Sequence, residues 1–130
     1  MLNDHEAIAM IAVQDLATAA AFYEGTLGLA RLATEGDEAI TYRSGSTRLN
    51  VYRSQFARTN KATSAMWNVG ADFDAVAAAL AAKGVVFEQY DMPGLRFERG
   101  IYSIGDMKMA WFKDPDGNIL SIVSEQGRSS

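Results

Sequence analysis

The order strand, helix, three strands occurs twice along this chain of 130 residues, and no other feature narrows the available folds as far. The first copy opens on the apolar, partly β-branched run Ala7–Val13, a strand, followed by Asp15 as a helix N-cap. Leu16, Ala19, Ala20, Phe22, Tyr23 and Leu27 recur at helical spacing, and Gly28 stands where a helix ends. Leu29–Ala33, Glu38–Tyr42 and Thr47–Tyr52 read as three antiparallel strands divided by the turn signals EGDE and RSGS. The polar stretch Arg53–Lys61 lacks periodicity and reads as a connector. The order then begins again with a strand at Thr63–Val69 and an alanine-rich helix over Phe73–Lys83 that stops at Gly84. Strands follow at Val85–Tyr90, Met107–Phe112 and Ile119–Val123, the last two joined by the turn Lys113–Asn118. Residues Met92–Gly105 read as one long irregular stretch, a lid over a binding site. A half of this kind cannot bury its own sheet face and must pair with its twin. The expectation is an α+β fold of two βαβββ modules forming a curved mixed sheet around a central pocket. Residues 1–130 would make a single domain, with halves at about 6–54 and 62–124.

Apolar residues at 48% and charged residues at 22% suit a globular chain rather than a disordered one. A net charge of −4 supplies no basic surface for phosphate backbones or anionic lipid, so neither nucleic acid nor a membrane is an expected partner. The absence of cysteine removes disulfide and thiolate chemistry. The start MLNDHEAIAM has acids where a signal peptide needs basic residues, and a cytoplasmic location is expected.

Two motifs carry a resemblance that spans nearly the whole chain. The first is Val13-Gln14-Asp15-Leu16 with Ala21-Phe22-Tyr23 and Leu27-Gly28-Leu29; the second is Phe112-Lys113-Asp114-Pro115-Asp116-Gly117-Asn118. With the repeated halves between them, the chain resembles the vicinal oxygen chelate superfamily of glyoxalases, extradiol dioxygenases and bleomycin-resistance proteins. That resemblance implies a glyoxalase-like fold and a homodimer. It also implies a divalent ion held by histidine and glutamate at corresponding strand positions. The positions here that match those ligands are Ile8, Asn50, Ser64 and Ser121, and all four depart from the pattern. His5 is the sole histidine and lies three residues ahead of the first such position. We therefore expect no metal and no cofactor, and neither glyoxalase nor conventional metal-dependent dioxygenase activity. Asp114, Asp116, Asn118 and Glu125 imitate calcium-loop spacing, but Gly117 stands at the wrong position of such a loop, and a hairpin turn explains them better.

Strand alternation places Arg48, Asn50 and Tyr52 on one face and Leu49 and Val51 on the other. The same period adds Ile8 and Met10 from the first strand, Ser64, Met66 and Asn68 from the fifth, and Met109, Trp111, Ile119 and Ser121 from the final hairpin. The expected ligand-binding set is Ile8, Arg48, Asn50, Tyr52, Ser64, Met66, Met109, Trp111 and Ser121. Aromatic and thioether surface with a few polar groups suits a small aromatic or planar organic molecule. Core filler is the commoner use of Met10, Met66 and Met109, while packing explains Trp111 as well as a pocket does. Arg48, if buried, needs a carboxylate such as Glu98 or an anionic or carbonyl-bearing ligand; otherwise it reaches solvent at the rim. Phe97, Arg99 and Tyr102 of the lid segment are weaker contacts. Ser64 and Ser121 have no histidine to activate them, which argues against a hydrolase. The function expected is metal-free binding of a small molecule, as in the antibiotic-binding branch of the superfamily. The alternative is a lyase, isomerase or dioxygenase of the same superfamily with an unusual metal site or none.

Overall fold

A computed structural model describes residues 1–124 and divides them into two compact units. The first unit comprises Met1–Ser64 with Asp114–Asn118, and the second Ala65–Lys113 with residues 119–124.

In the first unit, β1 (Ala9–Val13) lies parallel to β4 (Thr47–Arg53), which pairs antiparallel with β3 (Ala39–Ser44), itself antiparallel to β2 (Ala30–Glu35). The helix between β1 and β2 begins as α1 (Leu16–Ala20). Asp15 caps it, its carboxylate accepting from the Thr18 amide at 3.1 Å and the Thr18 hydroxyl at 2.6 Å. From Ala21 to Thr26 it widens into a π turn, and Gly28, at a φ of 75°, closes it where glycine's freedom is needed. Ile11, Val13, Ile40, Tyr42, Leu49 and Val51 form the buried sheet face, with Ala19 and Tyr23 from the helix also fully buried. Each large apolar side chain contributes roughly 1.5–3 kcal/mol by leaving water.

The turn 114–118 is a clamp within this unit. Asp114 Oδ1 accepts from the amides of Asp116 and Asn118, at 2.9 and 2.8 Å. Its Oδ2 accepts from the Tyr23 hydroxyl at 2.7 Å and from Asn118 Nδ2 at 2.9 Å. Asn118 Nδ2 also donates to the Ala12 carbonyl. Asp116 accepts from the Gln14 amide and from Arg58 Nε, at 3.2 and 3.1 Å. These acids are buried and committed to protein donors, in keeping with a turn; Glu125 lies outside the described residues.

In the second unit the sheet order is β5 (Thr63–Asn68), β9 (Ile119–Val123), β8 (Met107–Lys113), β7 (Ile101–Ile104), β6 (Arg96–Glu98). First and last strands are neighbours in this sheet as they are in the first, and β5-β9-β8-β7 repeats the order β1-β4-β3-β2; the second copy carries four strands after its helix instead of the expected three, with β6 added at the edge. The α+β architecture holds as expected. Phe73, Ala77 and Leu80 of α2 (Phe73–Ala82) are buried, as are Ala110, Phe112, Leu120 and Ile122 of the sheet, and Lys108 reaches Asp74 at 2.8 Å.

Two expectations fail in this unit. Val85–Tyr90 is not a strand: its Glu88 amide donates to the Trp111 carbonyl at 2.7 Å, but β8 takes its regular partners from β9 and β7. The irregular stretch Met92–Gly105 contains instead the hairpin β6–β7. Its turn is Arg99-Gly100, both with positive φ (52° and 84°), the geometry that matches the twist of two-residue hairpins. A Cβ on Gly100 would stand 2.8 Å from that of Phe87, so only glycine fits there.

Candidate functional site

Each unit presents one sheet face that its helix does not cover. On the first, the strand registers set side chains in rows. Ala30, Arg43 and Arg48 form one row; Ala33, Thr41, Asn50 and Met10 the next; Glu35, Ala39, Tyr52 and Ala12 the third. Arg48 is exposed, Asn50 and Tyr52 are half-buried, and Leu49 and Val51 are buried on the other face, the alternation read from the sequence. Asn50 Nδ2 donates to Thr41 Oγ1 at 3.1 Å. Arg48 reaches solvent, so the cost of burying it does not arise. Ile8 precedes β1 instead of lying within it and is 44% exposed. Ser64 Oγ accepts from Asn60 Nδ2 at 2.8 Å.

On the second unit, Met109, Trp111 and Ser121 share a face, with Trp111 directly opposite Ser121 and Met109 opposite Tyr102. Aromatic rings gather around Trp111. Tyr102 meets it edge-on at 5.4 Å and Tyr90 at 6.1 Å, while Phe97 leans on Tyr102 at 4.7 Å. The Tyr102 hydroxyl donates to the Tyr90 carbonyl at 2.6 Å and also accepts from the Tyr90 amide, which pins the Tyr90 backbone. Two buried hydroxyls here, Ser121 Oγ and Tyr90 OH, have no hydrogen-bond partner among the described residues. Burying a hydroxyl unpaired costs about 1–3 kcal/mol, so each is a donor and acceptor awaiting a partner. Burial raises the Tyr90 phenol above its ordinary pKa, with Glu88 adding to the shift. Met66 is 59% exposed, so it is not the core filler its residue type suggested.

Sequence reasoning did not single out Tyr90, and it rated Tyr102 and Phe97 below Trp111. The available signal was aromatic content at Tyr90, Phe97 and Tyr102 flanking a strand that carries Trp111.

The positions that match the metal ligands of the resemblance hold a hydrocarbon (Ile8), an amide engaged with Thr41 (Asn50), a hydroxyl engaged with Asn60 (Ser64) and an unpaired hydroxyl (Ser121). None offers the carboxylate or imidazole that a transition metal prefers. Among the described residues no group of three His, Asp or Glu side chains is arranged to hold a metal ion. The residues present do not fit a family-type metal.

A cavity of about 440 Å³ opens elsewhere in the first unit, lined by Asp15, Ala20, Arg31, Thr34, Asp37 and Arg53 among others. None of the nine expected ligand-binding residues lines it. Its charges are largely engaged within the chain: Arg31 with Glu24, Arg53 with Glu38 at 3.9 Å, and Asp15 with Thr18. The Glu24 carboxyl is held below its usual range by Arg31 and then by the Tyr42 hydroxyl, which donates to it at 2.8 Å. We favour the sheet faces that the helices leave uncovered, where Arg48 stands free on the first and Ser121 Oγ is buried without a partner among the described residues on the second.

A family model described as the glyoxalase/bleomycin resistance protein/dioxygenase superfamily matches residues 6–122. No curated protein matches the chain. Among solved structures, a bleomycin resistance determinant encoded on the transposon Tn5 is 18% identical, with a TM-score of 0.71, over 94% of this chain and 98% of that one. The bleomycin-binding protein of Streptomyces verticillus, complexed with copper(II)-bleomycin, is 20% identical, with a TM-score of 0.70, over 94% and 97%. Lactoylglutathione lyase from Agrobacterium tumefaciens is 17% identical, with a TM-score of 0.69, over 96% and 98%. At these identities the likeness is one of fold. No helix among the described residues is long and apolar enough to cross a membrane.

Proposed function

The chain belongs to the glyoxalase/bleomycin resistance protein/dioxygenase superfamily, and from that premise we propose that it binds a small aromatic or planar organic molecule without a metal ion. The observation that carries this reading is the aromatic face around Trp111 with its two unpartnered buried hydroxyls, Ser121 Oγ and Tyr90 OH. Rings supply area and edge-to-face contacts, while hydroxyls orient a ligand that can hydrogen-bond to them. The donor chemistry at Ile8, Asn50, Ser64 and Ser121 supports metal independence. Similarity in fold to two bleomycin-binding or bleomycin-resistance proteins supports a sequestering role, and we read the functional form as a homodimer in which residues 1–130 act as one domain.

Calorimetric titration of the untagged protein with metal-free bleomycin and with naphthol tests the reading. Saturable binding of either compound is expected, weakened several-fold in Trp111→Ala and in Ser121→Ala. Ser121→Ala also separates function from folding. It removes an unpaired buried hydroxyl, so the free protein should melt no lower than the wild type while its ligand affinity falls. Binding of neither compound, or binding indifferent to both substitutions, contradicts the proposal.

A further inference from the structure

Arg43 and Arg48 are direct cross-strand partners on β3 and β4, so their guanidinium groups rise from the same uncovered sheet face. Both are exposed, and neither has an ion pair or hydrogen bond among the described residues. Among the described residues Lys61, Arg96 and Arg99 also lack a carboxylate partner, but none of them faces a second cation across a strand pair. Arg31, Arg53, Arg58, Lys108 and Lys113 each sit against a carboxylate, in a chain whose net charge is −4. Like charges placed directly opposite across two strands destabilise the pairing. Register sets these two cations face to face with no carboxylate beside either among the described residues.

The neighbouring rows show what such a pair can serve. Next to the arginine row stands one of neutral groups, Thr41, Asn50 and Met10, with Ala33; beyond it lie Tyr52, Ala12 and Ala39. Rows two residues apart along a strand are separated by about 7 Å. Ala30 and Ala33 are exposed, Met10 is 56% exposed and Tyr52 is half-buried. The face thus grades from a two-guanidinium end, through amide and hydroxyl, to a ring about 14 Å away.

We propose that Arg43 and Arg48 together recognise an oxyanion, a carboxylate or a phosphoryl group, on an organic molecule bound at this face of the first unit. The inference rests on the reading of this chain as a binder of small organic molecules and gives the first-unit face a ligand class of its own. Two planar forks facing one another suit two oxygens of a single oxyanion, which each guanidinium can engage by charge-assisted hydrogen bonds. An anion bridging them also relieves the repulsion between them, so its binding is favoured twice. Asn50 and Thr41, one row away, stand where the ligand's next polar atom would fall.

The test is calorimetric titration of the full chain at low ionic strength with three probes of the same ring: naphthoate, naphthyl phosphate and the uncharged naphthamide. We expect at least one oxyanion to bind about tenfold tighter than naphthamide, a difference worth about 1.4 kcal/mol. Arg43→Gln and Arg48→Gln should each erase most of that preference, lowering oxyanion affinity far more than naphthamide affinity. About 0.5 M salt should compress it in the wild type. Whichever oxyanion binds tighter identifies the group as carboxylate or phosphoryl. Equal affinity for all three probes, or a preference that survives both substitutions, overturns the inference and leaves the ligand-binding reading standing. Failure of all three to bind overturns both.

Discussion

Asp114 accepts four hydrogen bonds inside the first unit, one of them from Tyr23, a fully buried side chain 91 positions away in sequence. Burial raises the Tyr23 phenol well above its ordinary pKa, and the neighbouring Asp114 raises it further, so the hydroxyl remains a donor at any pH the fold survives. Tyr23→Phe takes one donor from a buried carboxylate without leaving a large void. It should cost about 1.5–3 kcal/mol, read as a lower denaturant midpoint at unchanged slope. A loss below about 0.5 kcal/mol would show that the clamp does not hold the turn. The residues of the Asp114–Asn118 turn were visible in the sequence as a family motif, but not their task. A hydrogen bond between residues so distant in sequence leaves no periodic trace, whereas Asp15, whose partner Thr18 is three residues on, was legible as a cap.

At the scale of elements, the fate of each segment followed from where its hydrogen-bonding partners lay. The first-unit strands, α2, β8 and β9 came out within two residues of expectation at each end, because period and turn residues are local signals. Val85–Tyr90 has the β-branched and aromatic composition of a strand, yet β7 occupies the regular place beside β8. Tertiary pairing overrode propensity. The hairpin that displaced it escaped notice because Arg99-Gly100 is a less obvious two-residue turn than asparagine or aspartate before glycine. Gly100 ties the two facts together: its missing side chain makes room for Phe87, whose ring packs edge-on to Phe112 at 6.3 Å. Gly100→Ala should therefore cost about 1–3 kcal/mol through left-handed backbone and close contact combined. Amide exchange should quicken first in β6 and β7. A substitution within about 0.3 kcal/mol of neutral would mean the turn relaxes freely.

On the scale of the molecule, a four-strand order recurs, with a fifth strand, β6, at the edge of the second sheet and the first and last strands adjacent in each. The repeat was readable from segment order, and strand alternation put Arg48, Asn50 and Tyr52 together as observed. The chemistry of the faces was less legible. Arg43 became significant only through its register against Arg48, and Ser121 only through the absence of any partner for its hydroxyl. Neither register nor satisfaction is written in a linear sequence.

The central claim is ligand binding that needs no metal ion, and it is tested most directly by titrating naphthoate into the same protein after exhaustive chelator treatment and after addition of excess zinc, manganese or nickel. The account predicts equal affinity and stoichiometry under all conditions, with no metal retained after desalting. Binding that vanishes with the chelator and returns with one ion bound per chain would contradict it.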